Sequence, residues 1–228
     1  MVSIPETVHW RIAVGAEETS AIYQPAAANF KAVFVCAHGA GGHMADRGME
    51  RLATVLRGLG LDLVRFNFLY REGGSKRPDP MPRLKQCFDA VVAHTRKELD
   101  SKRLIIGGRS MGGRAASMMA ADGFGCDGLL LLAYPLHPPG KPEQLRSAHL
   151  PKINVPVLCI NGTRDAFCTR ELMQKALESV KTKWTMHWID GADHSFHVLK
   201  SSGRSDADVY AEIGDAGGRW LVTVRSET

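Results

Sequence analysis

The stretch "IIGGRSMGGRAA", Ile105–Ala116, sets four glycines around a single serine, between an aliphatic pair and an alanine-rich run. Glycine is the weakest ordinary helix former and also weakens strands, so four at one junction need a local reason. The aliphatic residues read as the end of a buried strand, and the small residues after Ser110 as the start of a helix. Gly108-Arg109-Ser110-Met111-Gly112 spells G-x-S-x-G, the pattern of a sharp strand-to-helix turn that lifts a serine hydroxyl above the sheet edge. Small residues two before and two after the serine are needed where neighbouring backbone passes too close for a side chain. The serine also sits at a helix N-terminus, whose free N–H groups favour developing negative charge. A plain tight junction or a phosphate loop are the competing readings. The stretch matches neither G-x-x-x-x-G-K-[ST] nor G-x-G-x-x-G.

The flanking sequence supplies the context. "AVFVCAHG", "LDLVRFNF", "RLIIGG", "GLLLLAYP", "VPVLCINGT" and "WTMHWIDG" are mostly continuous apolar runs, as expected of strands buried on both faces of a parallel sheet. "VHWRIAV" and "SAIYQP" predict a hairpin at one edge. Helical periodicity falls between the strands. Leu84, Phe88, Val91, Val92, Thr95 and Leu99 share one face, and Pro82 suits a first turn. Met49, Leu52, Ala53 and Leu56 repeat the spacing, as do Leu172, Met173, Ala176, Leu177 and Val180. A last helix is expected to open at "SDAD", where Ser205 and Asp208 suit a capping box, although Gly214, Gly217 and Gly218 weaken it. "YREGGSKRPD", "KRPDPMP" and "YPLHPPGKP" read as loops. This alternation predicts one α/β domain over residues 1–228, a mostly parallel twisted sheet with helices on both faces.

A serine hydroxyl is a poor nucleophile without a base to take its proton. In sheets of this kind the partners follow as an acid and then a histidine, on loops after later strands. "VPVLCINGT" runs into "RDAF", offering Asp165, and "WTMHWIDG" runs into "GADHSF", offering His194. Asp190 and Asp193 are rival acids, but both lie too close in sequence to reach the far nitrogen of His194 easily. His197 is a rival base, and Asp165 could instead cap the following helix. Donors for an oxyanion are expected from the Met111 amide and from Ala40 or Gly41 in "HGAGG", the glycine-rich loop after "AVFVCA". Arg71, Lys76 and Arg77 lie where they would draw an acidic acyl group, as does Arg109, with a solvated basic loop as the plainer reading. His38, Gly39 and His137 complete the candidate substrate contacts.

Composition removes several classes. With 29 basic and 24 acidic residues the chain carries a formal +5, and no basic stripe interleaved with aromatics suggests nucleic-acid binding. "MVSIPETVHWRIAV" lacks the layout of a signal peptide, and the longest apolar run, Leu129–Tyr134, is too short for a bilayer. Five cysteines without CxxC or metal-ligand spacing suit a reduced, cytoplasmic setting. No metal or organic cofactor is expected.

"HGAGG", "GGRSMGG", "NGTRDAF" and "GADHSF", in that order, resemble the α/β-hydrolase superfamily. "GGRSMGGRAA" with "LAYPLHPPGKPEQLR" is similar to a branch of small hydrolases near the dienelactone-hydrolase-like group, which includes subunits of chromatin complexes. The resemblance implies an eight-stranded sheet and a Ser110–His194–Asp165 hydrolase. Dienelactone hydrolases proper carry a cysteine at the turn, and epoxide and haloalkane hydrolases an aspartate, so Ser110 points to acyl transfer. Only about twenty residues separate "LLLLAYP" from "VPVLCING", too few for a lid domain, which leaves Leu136–Pro142 to close the site in part. A small ester or thioester is the expected substrate. The alternatives are a peptidase or acyltransferase using the same residues, or a non-catalytic interaction module that keeps the fold.

Overall fold

The computed structural model describes residues 6–26, 31–99 and 103–226. Eight strands form one sheet: β1 (Val8–Val14), β2 (Glu17–Gln24), β3 (Ala32–Ala37), β4 (Asp62–Phe66), β5 (Arg103–Arg109), β6 (Gly128–Leu132), β7 (Val157–Gly162) and β8 (Trp184–Ile189). The spatial order is β1-β2-β4-β3-β5-β6-β7-β8, with β1 and β2 an antiparallel hairpin at one edge and β3 to β8 all parallel.

Both faces are covered, which is why the central strands read as unbroken apolar runs. Val33, Val35 and Ala37 of β3 point to the face that α3 (Met81–Glu98), α4 (Met111–Ala121) and α5 (Arg170–Leu177) cover. Phe34 and Cys36 point to the other, under α1 (Arg47–Gly58) and α6 (Asp206–Ser226). Leu129 and Leu131 of β6 divide from Leu130 and Leu132 in the same way. Each fully buried leucine or phenylalanine contributes about 1.5–3 kcal/mol. Shifting the register by one residue would exchange the two faces of a strand.

One expectation is corrected. "YREGGSKRPD" is not loop throughout: buried Leu69 and Tyr70 anchor one helical turn, α2 (Leu69–Glu72), which ends at Gly73. The glycines of the last helix do not interrupt it. A Cβ on Gly214 would lie 2.7 Å from Val55 Cγ1 and one on Gly217 3.1 Å from Leu59 Cδ1, so these residues let α6 approach α1. The capping box forms: the Ser205 amide and hydroxyl donate to Asp208 Oδ2 at 2.7 and 2.8 Å. Between β6 and β7 the only described helical element is a 3₁₀ turn, Leu150–Lys152. No described helix is long and apolar enough to cross a membrane.

Gly214→Ala weighs the two effects against each other. Helix propensity gains about 1 kcal/mol, but the new methyl overpacks against stiff Val55, at a typical cost of about 1–3 kcal/mol. The urea midpoint of Gly214→Ala should fall, and adding Val55→Ala should recover part of the loss. A raised midpoint in the single variant would contradict the close-packing account.

Candidate active site

Strand β5 hands over to α4 at Ser110, whose φ of 50° and ψ of −115° lie where non-glycine residues are rarely found. Packing holds it there. A Cβ on Gly108, at φ 141°, would stand 2.1 Å from the Ala37 carbonyl oxygen, and one on Gly112 2.5 Å from the same atom. The Ser110 amide is tied across the sheet to the Leu132 carbonyl at 2.8 Å. The end of β3 is thus pressed against both sides of the turn, and any side chain there would prise it open.

The loops after β7 and β8 bring two more side chains to this turn. His194 Nε2 lies 2.9 Å from Ser110 Oγ, and His194 Nδ1 lies 2.8 Å from Asp165 Oδ2. Because the carboxylate accepts, Nδ1 carries the proton and Nε2 is left to accept from the hydroxyl. The Asp165 side chain is wholly buried. Its Oδ1 accepts the Phe167 amide at 2.8 Å, and its Oδ2 also accepts from Asn161 Nδ2 at 3.2 Å. Buried Asn161 is itself clamped to the Tyr134 amide and carbonyl, at 3.0 and 3.1 Å. The Phe167 ring covers the imidazole at a centroid distance of 4.3 Å.

The rivals are engaged elsewhere. Asp190 accepts from the Thr163 hydroxyl, and Asp193 accepts the Ser195 and His197 amides at 2.7 and 3.0 Å. His197 pairs with Asp206 at 3.0 Å. Helix α5 is capped by Thr169 rather than Asp165.

Ser110 and His194 open on a cavity of about 650 Å³, bordered also by Gly39, Ala40, Met111 and Phe167. The Gly42 amide closes a turn onto the Gly39 carbonyl at 3.0 Å, with Gly41 at φ 70° in the position that a type II turn reserves for glycine. Ala40 borders the cavity but Gly41 does not. Burial raises the Tyr70 phenol above its usual range, and its buried hydroxyl lacks a hydrogen-bond partner among the described residues. His38 borders the cavity with no nitrogen to spare: Nδ1 donates to the Gly39 carbonyl at 2.8 Å and Nε2 accepts the Phe68 amide at 3.2 Å. It braces the turn rather than offering a polar contact. Arg109 borders the cavity and donates to the His194 carbonyl at 3.3 Å.

Four expected substrate contacts, Arg71, Lys76, Arg77 and His137, are not among the lining residues. Arg71 turns to the Ser75 carbonyl at 3.2 Å, because the α2 turn redirects its side chain. His137 is buried behind the proline-rich segment, with Nδ1 on the Pro138 carbonyl at 2.9 Å. Pro135 and Pro139 of that segment do line the cavity, as do Arg114 and Arg146, which sequence reasoning missed. Arg114 carried a readable signal, since it lies four residues after Ser110 on the same helix. Asn161, Phe167 and Arg146 carried none, their roles depending on which loops converge. Among the described residues no cluster of three or more His, Cys, Asp or Glu side chains is arranged to hold a metal ion.

Residues 30–221 match the α/β-hydrolase domain family. The chain belongs to that family. Among solved structures, the hydrolase domain is similar to an α/β serine hydrolase homologue from Coxiella burnetii, at 19% identity and a TM-score of 0.76, covering 93% of this chain and 96% of that one. A lidless α/β serine hydrolase from Xanthomonas campestris matches at 21% identity and a TM-score of 0.76, covering 95% of each chain. A dienelactone hydrolase from Anabaena variabilis matches at 18% and 0.73, covering 96% and 98%. At these identities the likeness is one of fold.

Two imidazoles near the site set an acid limit on the fold. Burial pushes His38 down to about 4 from its usual 6.5, and burial with the nearby Arg114 charge does the same to His149. Between pH 6.5 and 4 the unfolded chain therefore binds more protons at these positions than the folded one, and stability falls as pH falls through that window. Each imidazole adds at most about 1.4 kcal/mol per pH unit. Urea midpoints measured from pH 7 to 4 should drop less steeply in His38→Gln and His149→Gln than in wild type. Parallel slopes in all three proteins would remove these residues from the account.

Proposed function

We propose that the domain is a serine hydrolase of small carboxylic esters or thioesters, working through an acyl-enzyme on Ser110. The observation that carries this reading is the unbroken hydrogen-bonded line from Ser110 Oγ through His194 to the buried Asp165. His194 Nε2 takes the hydroxyl proton as Ser110 attacks the carbonyl carbon. Asp165 holds the Nδ1–H tautomer and stabilises the imidazolium. The developing oxyanion lies against the amides of Met111 and Ala40, donors typically worth about 2.7–4 kcal/mol each. His194 then returns the proton to the leaving group and takes one from water, whose attack frees the acid and restores Ser110. The absence of a lid between β6 and β7 supports a short substrate reached from an open face.

The test is labelling with a fluorophosphonate probe alongside hydrolysis of p-nitrophenyl esters and acyl thioesters of graded chain length. Wild type should be labelled at Ser110 and Ser110→Ala should not. Ser110→Ala, His194→Ala and Asp165→Asn should each lose about 10⁴-fold or more in kcat. Ester hydrolysis undiminished in Ser110→Ala, or no labelling in a folded wild type, would leave the scaffold reading in its place.

A further inference from the structure

We propose that Arg114 and Arg146 form an anion-binding subsite beside Ser110, so that the ester lodged in this cavity carries a carboxylate. The proposal deepens the hydrolase reading and, as to substrate, rests on it.

Both arginines border the cavity that contains Ser110. Neither makes a side-chain hydrogen bond or an ion pair with any described residue, and the buried Nε of Arg114 lacks an acceptor. Long side chains on a helix lean toward its N-terminus. The Arg114 amide donates to the Ser110 carbonyl at 3.0 Å, so Arg114 sits one turn above the nucleophile and leans back toward it. Arg146 comes from the segment between β6 and β7, held by its amide on the Leu136 carbonyl at 2.7 Å. Burial and the adjacent Arg114 charge both lower its pKa. Two like charges are therefore held together, half-buried, at a cost that a bound anion would relieve.

Among the described residues none supplies such an anion. The groups beneath the pair are neutral: Ser117 Oγ, Tyr134 Oη and His149 Nε2 share hydrogen bonds of 2.9, 3.2 and 3.3 Å. Asp122, the carboxylate that acts on His149, pairs with Lys85 at 2.5 Å. The two lining carboxylates are also engaged. Asp79 accepts the Tyr70 amide at 3.0 Å and pairs with Arg83 at 3.3 Å. Asp46 accepts the His43 amide at 2.7 Å. One helical turn is about 5.4 Å, so a carboxylate a few methylenes from the scissile carbonyl, as in a half-ester of a short dicarboxylic acid, spans the gap. Guanidinium forks match such a carboxylate in geometry.

Two measurements on the intact chain decide the matter. The first compares kcat/KM for p-nitrophenyl hemiglutarate and p-nitrophenyl valerate, esters of matched acyl length that differ in one carboxylate. Wild type should favour the hemiglutarate by about tenfold or more. That ratio should collapse in Arg114→Gln and Arg146→Gln and shrink with added salt. The second titrates Ser110→Ala with monomethyl glutarate and methyl valerate by calorimetry, which needs no turnover. The anion should bind about tenfold or more tighter, with the difference lost when either arginine is replaced. Equal binding of the two esters to Ser110→Ala, or a difference that survives both replacements, overturns the subsite. If the anion binds in an arginine-dependent way but Ser110 takes no fluorophosphonate label, the subsite stands and the hydrolase reading falls.

Discussion

The contact on which the site depends is a backbone one: the Ala37 carbonyl lies where side chains on Gly108 and Gly112 would be. It fixes the end of β3 against both sides of the Ser110 turn. Two features follow from that one approach. Ser110 is held at a positive φ that it would not adopt freely, and the His38–Gly42 segment leaving β3 is delivered beside it. The glycines of the opening stretch therefore serve closeness more than flexibility. The same logic recurs far from the site, where Gly214 and Gly217 let two helices meet.

The second constraint is electrostatic. Asp165 carries a buried charge, which is costly unless it is hydrogen-bonded and paired. Phe167, Asn161 and His194 each donate to it, and Asn161 is fixed in turn by the backbone around Tyr134. The imidazole is therefore oriented from behind by groups that have little freedom to move. Across the cavity the pattern is reversed, with Arg114 and Arg146 left without side-chain partners among the described residues. Satisfied polar groups at one end and unsatisfied cations at the other are what a site that binds as well as reacts would need.

Much of this was legible in the sequence. Unbroken apolar runs announce a sheet covered on both faces, and G-x-S-x-G after such a run marks the turn. The order Ser110, Asp165, His194 follows from which strands end near that turn, and the structure brings the three within hydrogen-bond distance. What escaped depends on relations across the chain. Arg71 and His137 were placed by the loops they sit on, yet a short helix turns one aside and burial closes off the other. Gly41 looked equivalent to Ala40, yet of the two only Ala40 borders the cavity. The glycines of α6 read as a helix defect because propensity is local, whereas the reason for them lies on α1. Arg146 approaches Arg114 only because the segment after β6 folds back over α4.

The central claim is that Ser110 forms a covalent acyl intermediate. It is tested most directly by quenching the enzyme in acid during turnover of a p-nitrophenyl ester and mapping the added acyl mass by peptide mass spectrometry. The account predicts one adduct, on the peptide that contains Ser110, with more of it at saturating substrate, where acylation outpaces deacylation. Steady hydrolysis with that peptide unmodified, or with the acyl group on another residue, would contradict it.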